Sequence, residues 1–390
     1  MSSSSSTNPK GVFRQCHMKC KTLFTALSIL CTLVVIISWR DMSRYSVHPF
    51  NMSHTGEQRW ITPNTRFPAE EHEIIEARSG YFKLTTSRWS NTTCRPQNNF
   101  VFIKTGKTGG STAASILFRY ASKNDLIPAL DPKNGQYIGE DEDGNLDVFK
   151  YNCSNFPGYN FIANHIWYNR PAMEAVVPNA KYFTIIRSPY THLKSRFYYQ
   201  HRRHIFPNNS NPFYDFLRKV HKMHPEVNAE LGNNYCRRFG IYFKNLSIVA
   251  QSSLEKINGE LDLVMIMEHY DESLVLLKKI MCWEFEDILY YPMKVHTNPQ
   301  PPMTPEMLDM ISNLSRFDIE FFNYFNETLW KKIEGYDGNF DEDLATFQSM
   351  NARVKAKCDI EESSILCRKL KRDAHQLRHV LYSRNKHWIC

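Results

Sequence analysis

The stretch "FVFIKTGKTGGSTAASILFRYA", residues 100–121, has the pattern of a buried strand, a short loop rich in glycine and lysine, and a helix. Gly106, Gly109 and Gly110 allow the backbone to approach a ligand closely. Amides at a helix N-terminus bind anions, and two lysines in one tight turn repel each other unless an anion neutralises them. The loop therefore predicts a phosphate site. It departs from the nucleotide-hydrolase loop G-x-x-x-x-G-K-[ST], because Val101 stands where the first glycine is required.

A second phosphate element is predicted in "KYFTIIRSPYTHLKSRFYY", residues 181–199. Its apolar beginning predicts a strand, and Arg187 follows at the carboxyl end, where open α/β sheets bind their ligands. Ser188 and Pro189 are typical of the N-cap and first position of a helix. Ser195 lies in that helix. We therefore expect Arg187 and Ser195 to converge on one phosphate, with the guanidinium binding it in bidentate fashion.

Short apolar segments alternate with helical segments from residue 100 onward. "NFIANH", "KYFTIIR" and "LDLVMIME" predict three further strands, and a helical pattern follows each of them. This alternation predicts an α/β fold with a central parallel sheet flanked by helices. We assign residues 96–350 to this α/β domain and residues 351–390 to a basic helical C-terminal extension, whose charge is most simply a solvated face.

The N-terminal region predicts a membrane anchor. "TLFTALSILCTLVVIISW", residues 22–39, is an uncharged run long enough to span a bilayer. The excess of positive charge before it predicts a cytoplasmic tail at residues 1–21 and a single-pass type II topology, with the body in the lumen. Residues 40–95 are expected to form a luminal stem. A cleaved signal peptide is the alternative interpretation. Seven N-x-[ST] sequons favour a glycoprotein.

Seven cysteines lie beyond the predicted anchor, with no C-x-x-C pair among them. In an oxidising lumen some are expected to form disulfides. Because seven is odd, at least one is free or joined to another chain, and Cys390 is our candidate. Their scattered spacing predicts no metal site. The formal net charge of +8 is too small to indicate nucleic-acid binding.

Both phosphate elements resemble those of Golgi sulfotransferases. "KTGKTGGST" resembles the loop that holds the 5′-phosphosulfate of 3′-phosphoadenylyl sulfate (PAPS), and "RSPYTHLKS" resembles the element for its 3′-phosphate. Several blocks across residues 95–350, including "LDLVMIMEHYDESLVLLKKIMCW" and "YFNETLWKKIE", are similar in content and order to the galactose-3-O-sulfotransferase family, which includes the galactosylceramide sulfotransferase. The resemblance implies a P-loop-like sulfotransferase fold, PAPS as co-substrate, and a Golgi membrane location with a luminal catalytic domain.

The resemblance also implies a reaction, the sulfation of the 3-hydroxyl of a terminal β-galactose on a glycolipid or a glycoprotein, without a metal. A homodimer is compatible with it. Glycosaminoglycan sulfotransferases that modify the 2-hydroxyl of uronic acids share related motifs and are the alternative. A Golgi glycosyltransferase is a further alternative, but we interpret its D-x-D-like sequences at residues 141–143 and 341–343 as loops. A membrane lectin would leave both phosphate elements unexplained.

Residue roles follow from the same resemblance. Lys107 matches the lysine that contacts the 5′-phosphate and the transferring sulfuryl oxygens, and His165 matches the position of the catalytic base. The family usually has a histidine where this chain has Gly106, so His165 becomes the one strong candidate for that base. The residues expected to bind PAPS are Lys104, Thr105, Lys107, Thr108, Gly109, Gly110, Ser111, Thr112, Arg187 and Ser195.

Other polar residues near these motifs receive structural interpretations. Ser188 stands where the family's R-D-P motif has aspartate, and we expect it to cap the helix equally well. Asp271 and Glu272 are expected to cap a helix that begins near Ser273. A role in contacting the substrate is the alternative for these two residues and for Glu268. Three histidines are expected at the surface of a polar helix: His192, His201 and His204.

Overall fold

The computed structural model describes residues 94–133, 135–200, 210–222, 231–241, 249, 251–293 and 300–390. The predicted tail, the anchor at residues 22–39 and nearly all of the stem lie outside these residues, so the anchor stays a prediction. Within the described part, no helix combines the length and the apolar character needed to cross a membrane.

Four parallel strands form the centre of the protein: β1 (Phe100–Ile103), β2 (Phe161–Ile162), β3 (Lys181–Ile186) and β4 (Leu263–Ile266). Their order across the sheet is β2-β1-β3-β4. All their residues are buried except Lys181 at one end, because helices cover both faces of a parallel sheet. The predicted α/β fold with a central parallel sheet flanked by helices is therefore confirmed.

Thirteen α-helices are assigned in the described residues. They are α1 (Gly110–Lys123), α2 (Arg170–Val176), α3 (Pro189–Tyr199), α4 (Pro212–His221), α5 (Asn234–Arg238), α6 (Gln251–Glu260), α7 (Tyr270–Met281), α8 (Phe285–Ile288), α9 (Pro305–Leu314), α10 (Arg316–Glu334), α11 (Phe340–Ile360), α12 (Ile365–Leu370) and α13 (Ala374–Arg384). Helices α1 and α3 directly follow β1 and β3. This is the order of strand and helix that we predicted for the two phosphate elements.

Two apolar clusters hold these elements in place. The larger one surrounds the sheet, where the Phe161 ring stacks on Phe100 at 4.9 Å and meets the edge of Phe118 from α1 at 5.3 Å. The smaller one joins α3, α4 and α9 through buried side chains such as Phe197 and Phe213. The second cluster fixes helix α3, which carries Ser195.

The C-terminal segment packs on the body of the protein. Helix α13 lies against α1 and buries Leu377 and Leu381. Arg384 donates to the carbonyl of Ser122 at 2.9 Å and forms an ion pair with Asp125 at 2.8 Å. These contacts hold α13 against α1, the helix that follows the glycine–lysine loop.

The disulfides correct the interpretation of the last residue. Cys390 is not the unpaired cysteine, because it is bonded to Cys153. Among the cysteines of the described residues, the unpaired thiol belongs to Cys236, which is fully buried. An odd count shows that one cysteine is left over, but only the tertiary structure shows which one. The other two disulfides are Cys94–Cys282 and Cys358–Cys367.

Two interpretations of acidic residues were also wrong. Residues 341–343 lie in the first turn of α11, where negative charge is favourable, and not in a loop. Residues 141–143 do form a turn, as expected. Helix α7 begins at Tyr270, so Asp271 and Glu272 lie inside its first turn and do not cap it. Asp271 instead accepts a hydrogen bond from the Tyr290 hydroxyl at 2.9 Å.

Candidate active site

The loop between β1 and α1 has a strained backbone. Lys107 has a φ of 63° and Gly109 a φ of 77°, both in the left-handed region. Such a conformation is costly for a residue with a side chain and persists where the surrounding structure enforces it, commonly at functional sites. Gly110 packs so closely that a Cβ there would lie 3.2 Å from Cγ of Lys104. The loop is therefore closely packed at Gly110.

Thr105 and Thr108, which were both predicted to bind phosphate, stabilise this loop through hydrogen bonds. The Thr105 hydroxyl donates to the carbonyl of Ile185 in β3, and it lies 2.8 Å from the Thr108 hydroxyl. Because the Thr105 proton is directed at Ile185, the Thr108 hydroxyl donates to Thr105. Both side chains are buried. Their hydroxyls thus tie the loop to the neighbouring strand.

The second phosphate element has the predicted order of strand, arginine and helix. Nε of Arg187 donates to the Thr191 hydroxyl at 2.7 Å. The Tyr235 hydroxyl accepts from the amide of Arg187 at 3.2 Å and donates to its carbonyl at 2.9 Å. Ser195 is buried on α3, one helical turn after Thr191. The arginine is therefore held at both its backbone and its side chain.

Ser188 occupies the N-cap position of α3, with Pro189 in the first turn, as predicted. Its hydroxyl makes no capping hydrogen bond, so the expectation that it caps the helix as aspartate would was wrong. The Ser188 amide donates to Oε1 of Glu268 at 3.0 Å. Glu268 therefore anchors the start of α3 from the β4 side of the sheet.

His165 has a defined tautomer. Its Nδ1 lies 2.9 Å from the carbonyl oxygen of Lys104, which only accepts, so Nδ1 carries the proton. Its Nε2 lies 3.1 Å from Nζ of Lys104, which only donates as an ammonium, so Nε2 carries the lone pair. Burial, with Lys104 and Arg238 nearby, lowers the pKa of His165 well below its usual value. His165 is therefore a neutral imidazole whose acceptor nitrogen faces a lysine.

His192 is not a surface residue, contrary to expectation. Its side chain is buried, and its Nε2 donates to the carbonyl of Gly106 at 2.8 Å. The ring also packs on Tyr235 at 4.8 Å. Burial lowers the pKa of His192 well below its usual value, and Arg196 adds to this effect. The polar sequence of α3 concealed this residue because its partners come from distant segments. His201 and His204 lie outside the described residues.

A single cavity of about 680 Å³ collects the predicted site residues. All of them except Thr108 line it. Among the described lining residues there is no Asp or Glu, whereas six carry a positive charge. These are Lys104, Lys107, Arg187, Lys194, Arg196 and Arg238. A cleft of one charge sign concentrates ligands of the opposite sign, so the cavity is suited to a multiply charged anion.

Three of the six cations were not predicted. Lys194 and Arg196 flank Ser195 in "HLKSR", and this basic flanking could have indicated them. Burial lowers the pKa of Lys194 to about 8. Arg238 comes from α5 without a local sequence signal. Among the described residues, no group of His, Cys, Asp and Glu could hold a metal ion.

Comparisons with known proteins agree with this geometry. A family model described as galactose-3-O-sulfotransferase matches residues 11–387. The chain is 27% identical over 281 residues to the human galactosylceramide sulfotransferase, covering 68% of this chain and 65% of that protein. It is 27% identical over 279 residues to the galactose-3-O-sulfotransferase 2 of Sus scrofa, covering 67% of this chain and 69% of that protein. The chain thus spans about two thirds of the length of these relatives.

Proposed function

The chain belongs to the galactose-3-O-sulfotransferase family, and on that premise we propose that it transfers a sulfuryl group from PAPS to a sugar hydroxyl. The proposed acceptor is the 3-hydroxyl of a terminal β-galactose. The observation that carries this proposal is the cavity in which the glycine–lysine loop, Arg187, Ser195 and His165 lie together with no carboxylate among the described lining residues. PAPS carries phosphate groups at two positions of its ribose, and the two phosphate elements supply one binding site for each.

The chemistry of the cavity wall fits an adenosine as well as its phosphates. One part is formed by Met267, Tyr270, Tyr290 and Met293, whose side chains offer an apolar and aromatic surface. We therefore place the adenosine against this wall.

Lys107 is the residue we propose to stabilise the leaving group. PAPS supplies an activated sulfuryl group, whose transfer leaves negative charge on the 5′-phosphate. A lysine fixed beside that phosphate stabilises the charge as it develops. Its left-handed backbone aims the side chain into the cleft, where Nζ lies 4.2 Å from the ring centroid of Tyr199. The backbone strain is then part of the positioning.

His165 is the proposed base, with Nε2 as the atom that takes the proton from the acceptor hydroxyl. Lys104 donates to this nitrogen at 3.1 Å, so the ammonium has to turn towards the donor's phosphosulfate before the hydroxyl can approach. The same anion would neutralise Lys104 and Arg238, two of the charges that lower the pKa of His165. Donor binding would therefore both expose the base and strengthen it.

We further propose that the protein is a single-pass Golgi membrane protein with its catalytic domain in the lumen. The apolar segment at residues 22–39 supports the anchor. The three disulfides support an oxidising compartment, because such bonds are rare in reducing ones.

The test is transfer of radiolabelled sulfate from PAPS to lactosyl, galactosylceramide and heparan acceptors. We expect transfer to the galactosides in the presence of EDTA and none from UDP-sugars. His165→Ala and Lys107→Ala should each lower turnover by orders of magnitude, while Arg187→Ala should mainly raise the KM for PAPS. His375→Ala, on the exposed side of α13, is the matched control. Near-normal turnover in His165→Ala would disprove the base assignment, and transfer to heparan alone would favour the glycosaminoglycan alternative.

A further inference from the structure

Tyr137 is an exposed aromatic residue held in a fixed position at the mouth of the cavity. Its side chain is 67% exposed, the most of any tyrosine or tryptophan among the large apolar residues found at the described surface. Its backbone is bridged to that of His165: the amide of His165 donates to the carbonyl of Gln136 at 2.9 Å, and the amide of Ile138 donates to the carbonyl of His165 at 3.0 Å. The ring is therefore positioned by the same segment that positions the proposed base.

Two exposed tyrosines each pack on one of the two proposed catalytic residues. The Tyr137 ring stacks on the His165 imidazole with centroids 4.9 Å apart and planes inclined by 22°. The Tyr199 ring, 38% exposed at the end of α3, receives Nζ of Lys107 at 4.2 Å. Both tyrosines line the cavity. Burial raises the pKa of Tyr199, and the Tyr137 hydroxyl adds to this effect.

We propose that Tyr137 and Tyr199 form the subsite for the acceptor sugar, with the C–H face of the terminal pyranose packed against their rings. This inference rests on the proposed function. A pyranose in contact with both rings lies beside both His165 and Lys107, which is where a hydroxyl must be for transfer. Galactose suits such a site because its axial 4-hydroxyl leaves one ring face with only C–H groups, and this face packs on aromatic rings.

The two rings and their polar neighbours are suited to a sugar. Each ring presents an apolar face with a hydroxyl tip. Gln136 and Gln200 line the cavity beside Tyr137 and Tyr199, and their amides can both donate to and accept from sugar hydroxyls. Tyrosine loses little conformational entropy on binding, and the bridged backbone of Tyr137 reduces that cost further.

The test measures acceptor and donor parameters separately in the full-length protein, with methyl β-lactoside as the acceptor. Tyr137→Leu and Tyr199→Leu should each raise the acceptor KM about tenfold or more, and Tyr137→Phe less than twofold, because the ring is retained. The Kd for 3′,5′-adenosine bisphosphate should stay within twofold in both Tyr137 variants. Trp330→Leu is the control, since Trp330 is 39% exposed on α10 and does not line the cavity.

Saturation-transfer NMR of the lactoside gives a second readout that needs no turnover, and its signal should fall in both Leu variants. An unchanged acceptor KM and NMR signal in those variants, with sulfate transfer by the parent protein, would overturn the sugar subsite and leave the proposed function standing. Equal increases of KM in the Leu and Phe variants of Tyr137 would also overturn it. Failure of the parent protein to bind 3′,5′-adenosine bisphosphate or to sulfate any galactoside would instead refute the proposed function.

Discussion

The most direct test of the phosphate loop compares Gly109→Ala with Gly106→Ala. Gly109 has a φ of 77°, and a Cβ built there would lie 3.3 Å from Cε2 of Tyr270. Gly106 has no left-handed φ, and a Cβ built there meets nothing within 4 Å. The two substitutions add the same methyl group three residues apart in one loop. They differ in the backbone conformation of the substituted residue and in the atoms that lie near the added Cβ.

The expected penalty follows from the backbone conformation. A left-handed conformation costs an L-residue about 1–2 kcal/mol. If the loop keeps its shape in Gly109→Ala, this cost appears as lost folding stability. If the loop relaxes, its amides turn away from the phosphate and the cost appears as weaker binding, by about 5- to 30-fold. The two losses together should therefore amount to about 1–2 kcal/mol. For Gly106→Ala both losses should be close to zero.

The assay combines urea unfolding with calorimetric titration of 3′,5′-adenosine bisphosphate into the full-length protein. Summing the two free-energy changes makes the result independent of how the loop responds. Equal sums for Gly106→Ala and Gly109→Ala would refute the argument, since it depends on the conformational difference between the two positions. A Gly109→Ala protein that keeps both stability and affinity would show that the left-handed turn is not needed for phosphate binding.

Three further predictions concern stability. Lys107→Gly should be more stable than Lys107→Ala by about 1 kcal/mol, the reverse of the usual order, because the backbone there is left-handed; both should lose turnover, and urea midpoints measure the difference. Cys153→Ser should cost about 5 kcal/mol and Cys358→Ser about 3 kcal/mol, because the first disulfide joins residues 237 apart and the second only 9 apart; equal losses would contradict this. His192 is buried with a lowered pKa, so the unfolded chain binds more protons than the folded one below about pH 6.5. His192 should then contribute a fall in stability of up to about 1.4 kcal/mol per pH unit as the pH drops, and the slope should shrink by this contribution in His192→Asn.

The sequence predicted those parts of the fold and site that local chemistry determines. Buried strands can be recognised in the sequence as apolar runs, and the phosphate loop can be recognised by its glycine, lysine and hydroxyl residues. Because parallel strands end at one edge of a sheet, placing Arg187 after β3 was enough to bring it near the loop after β1. Contacts between distant segments could not be predicted in this way. Arg238, Tyr137 and the pairing of Cys390 each depend on a partner more than 25 residues away.

His192 shows why the two phosphate elements behave as one unit. Helix α3 carries both this histidine and Ser195, and His192 donates to the carbonyl of Gly106 in the loop. On the other side of the loop, Thr105 donates to Ile185 in β3, the strand that leads into α3. The loop and the second element are therefore joined at two points, one residue apart in the loop. A ligand that engages both elements meets a fixed spacing, so we expect the site to prefer a nucleotide phosphorylated at both the 3′ and 5′ positions over one phosphorylated at the 5′ position alone.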